Sequence, residues 1–154
     1  MSADHGWELP LLLVGAFRAI VDDLHRELAA AGHPAARPIH GFALQAVGQE
    51  GVTVSELGRR LGVSKQAAAK TVASLESLGY VRRVAHPRDQ RAVLIERAVL
   101  GEEMLALSAQ IFGRIRSEIA DQVGETQLSD LEATLVRIVR VRNPKLGDLP
   151  GWLR

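Results

Sequence analysis

The sequence predicts a mainly α-helical fold carrying one small β-hairpin. Three observations support this. Apolar residues recur every three or four positions over Leu9–Ala31, Pro38–Val47, Thr53–Leu61, Lys65–Leu78, Ala98–Val123 and Thr126–Val141. Glycines and capping residues separate these runs. Between Tyr80 and Ile95, two β-branched arms flank the turn-rich tip His86-Pro87-Arg88-Asp89-Gln90-Arg91.

The first helix tolerates Pro10 in its opening turn and aligns Leu13, Phe17, Ile20, Leu24 and Leu28 on one face. Leu9, Leu12, Ala16 and Val21 widen that stripe, so the helix needs two partners, and the second can belong to another subunit. Gly32-His33-Pro34 ends it. The second helix is expected to bury Ile39, Phe42, Val47 and either Ala43 or Leu44. Thr53 and Glu56 stand in capping-box spacing at the start of the third. Gly62 stops that helix, Ser64 caps the fourth, and Gly79 closes the fourth in a left-handed conformation. The fifth helix aligns Leu100, Met104, Leu107, Ile111, Ile115 and Ile119, with Gly101 and Gly113 weakening it. The sixth buries Leu128, Leu131, Leu135 and Ile138 before Asn143-Pro144, and Trp7 and Trp152 pack on the terminal helices.

With 154 residues, 47% of them hydrophobic and 24% charged, the chain is expected to form one domain over 1–154 with an ordinary core. Cysteine is absent, which excludes disulfides, thiolate metal sites and a cysteine switch. The apolar run Leu9–Phe17 is too short to span a bilayer and lacks a cationic leader, so no membrane partner and a cytoplasmic location are expected. The five histidines show no metal spacing, and neither nucleophile motif nor phosphate loop is present. An enzyme, a metal site and a cofactor are therefore not expected.

The net charge of +1 conceals a segregation. From Arg59 to Arg91, eight basic residues face Glu76 and Asp89, a local net of +6, which leaves −5 for the rest. Such a patch suits a polyanion; a solvated charged face explains single arginines but not their concentration. Leu57-Gly58-Arg59-Arg60-Leu61-Gly62-Val63-Ser64, followed by Ala68, Val72 and Leu75, has helix-turn-helix spacing. Gly58 allows a close crossing, Gly62 makes the turn, and Val63 plugs the angle. At about 100° per residue, Ala68, Thr71, Val72 and Leu75 share a buried sector. Lys65, Gln66, Ala69, Lys70 and Ala73 share the neighbouring sector, which would enter a major groove. Lys65 and Gln66 have the reach for base edges, while Arg60, Ser64 and Lys70 suit phosphates. Arg82, Arg83, Arg88 and Arg91 line the hairpin beside them. The run Ala67-Ala68-Ala69 leaves few direct base contacts, so part of any specificity must come from DNA shape.

In its order of elements and in Leu57, Leu61-Gly62-Val63-Ser64, Leu75-Glu76, Gly79-Tyr80-Val81 and Pro87-x-Asp89-x-Arg91, the chain resembles the MarR family of winged helix-turn-helix transcription regulators. The resemblance covers nearly the whole chain. It implies a winged helix-turn-helix at about 38–97 and dimerisation helices at about 9–31 and 98–142. It also implies a homodimer on double-stranded DNA, repressing a pseudo-palindromic operator until a small-molecule effector binds. Arg91 would enter the minor groove, and Asp89 would hold a neighbouring arginine. Effector pockets of the family lie between the dimer helices and the DNA-binding lobe, which makes His40 a candidate ligand-binding residue, with ordinary packing as its competing role. Arg97-Ala98 departs from the Leu-Thr often found before the long helix, so the usual threonine cap is missing. The rival readings are a winged helix used for protein contacts, which the +6 segment disfavours, and a ligand-independent activator.

Overall fold

A computed structural model describes residues 6–142. Trp152, Lys145, His5 and the Asn143-Pro144 stop fall outside them. The elements run α1 (Glu8–Ala30), α2 (Pro38–Val47), α3 (Val54–Leu61), α4 (Lys65–Ser77), β1 (Val81–Ala85), β2 (Val93–Arg97), α5 (Val99–Val123) and α6 (Glu125–Arg142). Helices α3 and α4 cross as a helix-turn-helix, and β1 pairs antiparallel with β2 in the register Val81↔Arg97 to Ala85↔Val93. Val52, just ahead of α3, exchanges backbone hydrogen bonds with Ile95 at 2.9 and 2.7 Å, so the hairpin is anchored to the segment that feeds the helix-turn-helix. The fold is a winged helix-turn-helix set among α1, α5 and α6.

Local chemistry accounts for the turns. Thr53 Oγ1 accepts the Glu56 amide and Ser64 Oγ accepts the Ala67 amide, at 3.2 and 3.1 Å. Gly62 is left-handed at φ 69°, and the Val63 amide reaches back to the Gly58 carbonyl, which closes the turn. Ala98 precedes α5 without a side-chain cap; the Arg97 guanidinium pairs with Glu102 in the first turn instead.

Leu24 and Leu28 of α1, Leu44 and Val47 of α2, Leu57, Val72, Leu75, Ile95, Met104 and Ile111 form one continuous core. Three burial expectations need correction. On α2 the buried set is His40, Ala43, Leu44 and Val47, while Ile39 and Phe42 are half-buried, because α2 turns its His40 side toward α4. On α5 Leu100 is exposed and Gly101 is buried in its place, against the backbone of Tyr80. Helix α6 buries Leu128, but Leu131 and Ile138 are exposed. Trp7 is 59% exposed within a single chain.

Three polar ties fasten α2 to the rest of the lobe. The last carbonyls of a helix have no partner within it, and here two arginines supply one. Arg97 Nε donates to the Leu44 carbonyl at 2.7 Å, and Arg60 Nη1 donates to the Ala46 carbonyl at 2.8 Å. On the opposite side, the buried His40 ring accepts the Arg37 amide at Nδ1 (3.2 Å). That places its proton on Nε2, which donates to Ser74 Oγ of α4 at 3.0 Å.

Burial, with Arg37 and His25 nearby, lowers the His40 pKa to about 4. The unfolded chain therefore binds this proton more readily than the folded one. Stability is complete above the ordinary histidine pKa near 6.5 and falls as the pH drops toward 4, by up to about 3 kcal/mol. The depressed carboxyls of Glu56, Glu125 and Glu132, each held down mainly by hydrogen bonds from arginine, lose their contributions only below the ordinary carboxylate range. Urea midpoints between pH 6.5 and 5 therefore isolate the histidine: they should fall for the parent and stay level for His40→Asn.

Candidate nucleic-acid interface

The outward face of α4 and the hairpin tip carry the sequence-predicted site residues. Ala68, Val72 and Leu75 seat α4 on the core with no exposure. Lys65, Gln66 and Lys70 are exposed, Ala69 is half-buried, and Lys65 and Gln66 occupy the first turn of α4. Ser64 spends its hydroxyl oxygen on the Ala67 amide, which leaves the hydroxyl proton for an acceptor outside. Arg88, Asp89 and Arg91 stand on the exposed tip between β1 and β2.

Ion pairing divides the basic residues into two groups. Glu56 binds both Arg59 and Arg60, Glu96 lies across the hairpin from Arg82 at 3.1 Å, and Glu76 of α4 holds Arg83 at 3.0 Å. Lys65, Lys70, Arg88 and Arg91 have no ion pair among the described residues. The +6 window therefore overstates the free charge: Glu56 and Glu96 lie just outside it in sequence but fold onto its arginines, lowering the local net to +4. Arg60 is tied to Glu56 and to the α2 carboxyl end, so its geometry is that of a helix cap rather than a phosphate hook.

Asp89 also differs from the sequence expectation. It makes no ion pair with an arginine among the described residues; instead Asp89 Oδ1 accepts the backbone amide of Arg91 at 2.9 Å. The arginine is held by its main chain, and its guanidinium stays available. His86, which sequence reasoning passed over, accepts the amides of Arg88 and Asp89 at Nδ1, both at 3.1 Å. Its place one residue before Pro87, at the start of a turn, was the signal available.

A cavity of about 280 Å³ lies between α1, α2 and α5. Its walls are mainly apolar (Leu24, Leu28, Phe42, Met104, Phe112), with His25, Arg37, Gln45 and Ser108 as polar groups. His40 does not line it; both ring nitrogens are engaged on other partners. Ser108 Oγ is likewise committed, donating to the Met104 carbonyl at 2.8 Å. Among the described residues, no helix is long and apolar enough to cross a membrane.

Comparison with known proteins places this geometry. The sequence model of the MarR family matches residues 37–92, the segment from the start of α2 to the wing tip. The HTH-type transcriptional regulator BilQ of Clostridioides difficile (strain CD3) is 25% identical over 83 residues, 54% of this chain. The match spans 56% of that relative's length. Streptococcus pneumoniae FabT, solved in complex with DNA, superposes with a TM-score of 0.74 at 16% identity, over 89% of this chain and 96% of that one. A MarR family protein from Bacillus stearothermophilus gives 0.72 at 20% identity, over 94% and 99%. The reduced form of MarR from E. coli gives 0.70 at 22% identity, over 85% and 96%. The chain thus carries a segment, residues 37–92, that matches the MarR family model, set in the fold of these structures.

Proposed function

We propose that the protein is a homodimeric transcription regulator that binds double-stranded DNA, reading the major groove with α4 and the adjacent minor groove with Arg91. It works as one MarR-like domain over 1–154 and as a binding protein rather than an enzyme. The observation that carries this is the distribution of unpaired cations: Lys65 and Lys70 on the outward face of α4, Arg88 and Arg91 on the tip. The same lobe engages Arg59, Arg60, Arg82 and Arg83 internally, in ion pairs with Glu56, Glu96 and Glu76. Exposed cations with no ion pair among the described residues suit phosphates and base edges. Gln66 suits an adenine edge and Lys65 a guanine edge.

A second copy is supported by the apolar surface that one chain leaves uncovered. Leu9, Leu11 and Leu12 of α1 and Leu131, Ile138 and Val139 of α6 are all exposed. Two recognition helices held by such an interface would read half-sites about one helical turn apart, roughly 34–36 Å. The cavity against α2 suits a small effector with an apolar body, and release of DNA by that effector would make the protein a repressor.

The test is selection from a random DNA pool, with sedimentation of the purified protein. A pseudo-palindromic site with that half-site spacing and a dimer mass are expected, together with monomers from Leu131→Glu. No enriched sequence, or a monomer that binds the site as tightly, would contradict the reading.

A further inference from the structure

The seven residues from His86 to Ala92 join the strands of the wing, and the stretch from Pro87 to Arg91 is exposed. A loop in water holds one shape only when its backbone groups find partners. Here the partners come from two side chains in series. His86 Nδ1 accepts the amides of Arg88 and Asp89, and Asp89 Oδ1 accepts the amide of Arg91. The Asp89 carbonyl takes the Ala92 amide at 3.0 Å, and the His86 amide closes the loop on the Ala92 carbonyl at 3.1 Å. Asparagine and aspartate shape turns by accepting backbone amides two and three residues on. Imidazole Nδ1 stands as many bonds from Cβ as their side-chain oxygen does, so His86 performs the same task. An aspartate there would hold the turn equally well but would set a negative charge on the surface that meets phosphates. A neutral imidazole, protonated on Nε2, supplies the acceptor without that charge.

We propose that His86 is a positioning residue for the wing: its imidazole, acting with Asp89, pre-forms the tip so that Arg91 meets the minor groove already in place. The inference rests on the DNA-binding reading above. Neither the Arg88 nor the Arg91 guanidinium is used in building the turn, so both remain available to DNA. A tip without this scaffold would have to be ordered during binding, and that ordering would be lost from the affinity.

The test compares the parent with His86→Ala, His86→Asn, Arg91→Ala and the His86→Ala/Arg91→Ala double variant. Affinity for one selected duplex is read by fluorescence anisotropy, and backbone ¹⁵N relaxation is recorded on the DNA-free proteins. Loss of the one acceptor that serves two backbone amides predicts roughly tenfold weaker binding for His86→Ala. Binding close to the parent is expected for His86→Asn, which keeps an acceptor. In the Arg91→Ala background the His86 substitution should cost much less, because its effect passes through Arg91. The amides of Arg88, Asp89 and Arg91 should gain fast motion in His86→Ala and stay rigid in His86→Asn. Parent-like binding by His86→Ala, failure of asparagine to restore it, or an equal loss with and without Arg91 would each overturn the role given to His86. A parent that binds no duplex overturns the DNA reading and this inference with it, whereas a binding parent confines the failure to His86.

Discussion

Gly101→Ala should destabilise the fold by about 3 kcal/mol or more, as expected when an added group meets backbone in a packed site. In an isolated helix the same change stabilises by up to about 1 kcal/mol, so the structure reverses the sign. An added Cβ would fall well inside van der Waals contact with the Tyr80 carbonyl oxygen and 3.1 Å from its carbonyl carbon. That oxygen already accepts the Ala98 amide at 2.9 Å, so it cannot swing away without breaking the junction of wing and α5. Neither partner is a flexible side-chain end, and relief requires moving α5 from the wing base. Gly113, in the same helix, is the internal control: nothing lies within 4 Å of its added Cβ. Urea denaturation of both variants decides the matter. The Gly101 variant should lose most of its folding stability and Gly113→Ala should match or exceed the parent; equal midpoints for all three would show that the approach at Tyr80 is not tight.

Arg91→Ala should weaken binding to the selected site by about 1–3 kcal/mol, with the loss concentrated at A/T-rich flanks where a narrow minor groove attracts a guanidinium. Arg60→Ala should behave differently, although both arginines belong to the same basic stretch. Arg60 is engaged with Glu56 and the Ala46 carbonyl, so its removal costs folding stability and leaves the salt dependence of binding unchanged. Titrations at several salt concentrations separate the two. If Arg60→Ala weakens binding or lowers its salt slope, the division between paired and free cations is wrong.

The parts legible in the sequence are those set by short-range chemistry. Thr53 and Ser64 cap the helices they precede, Gly62 and Gly79 take positive φ, and the helical wheel separates Ala68, Val72 and Leu75 from Lys65, Gln66 and Lys70. What was not legible depends on contacts distant in sequence. Glu96 reaches Arg82 only because the hairpin closes, and Glu76 reaches Arg83 only because α4 packs beside β1. No periodicity distinguishes a cation paired in this way from a free one. His40 is similar: an imidazole joining α2 to Ser74 has no pattern that separates it from a ligand group. Gly101 reads as a helix-weakening residue until the Tyr80 carbonyl is seen against it. On α6 the apolar spacing of Leu131 and Ile138 is regular, yet both are exposed among the described residues, and spacing alone does not say which apolar side chains the rest of the fold covers.

The central claim is that the free cations of α4 and the wing form a DNA-binding surface, and the salt dependence of binding tests it most directly. Four such cations on each chain of a dimer allow up to eight phosphate contacts, which corresponds to a limiting slope of log K against log salt of about −7. With Arg91 committed to the minor groove and Lys65 to a base edge on each chain, a slope of about −4 is expected for the selected duplex. A slope near zero, with affinity unchanged between low and high salt, would contradict the account.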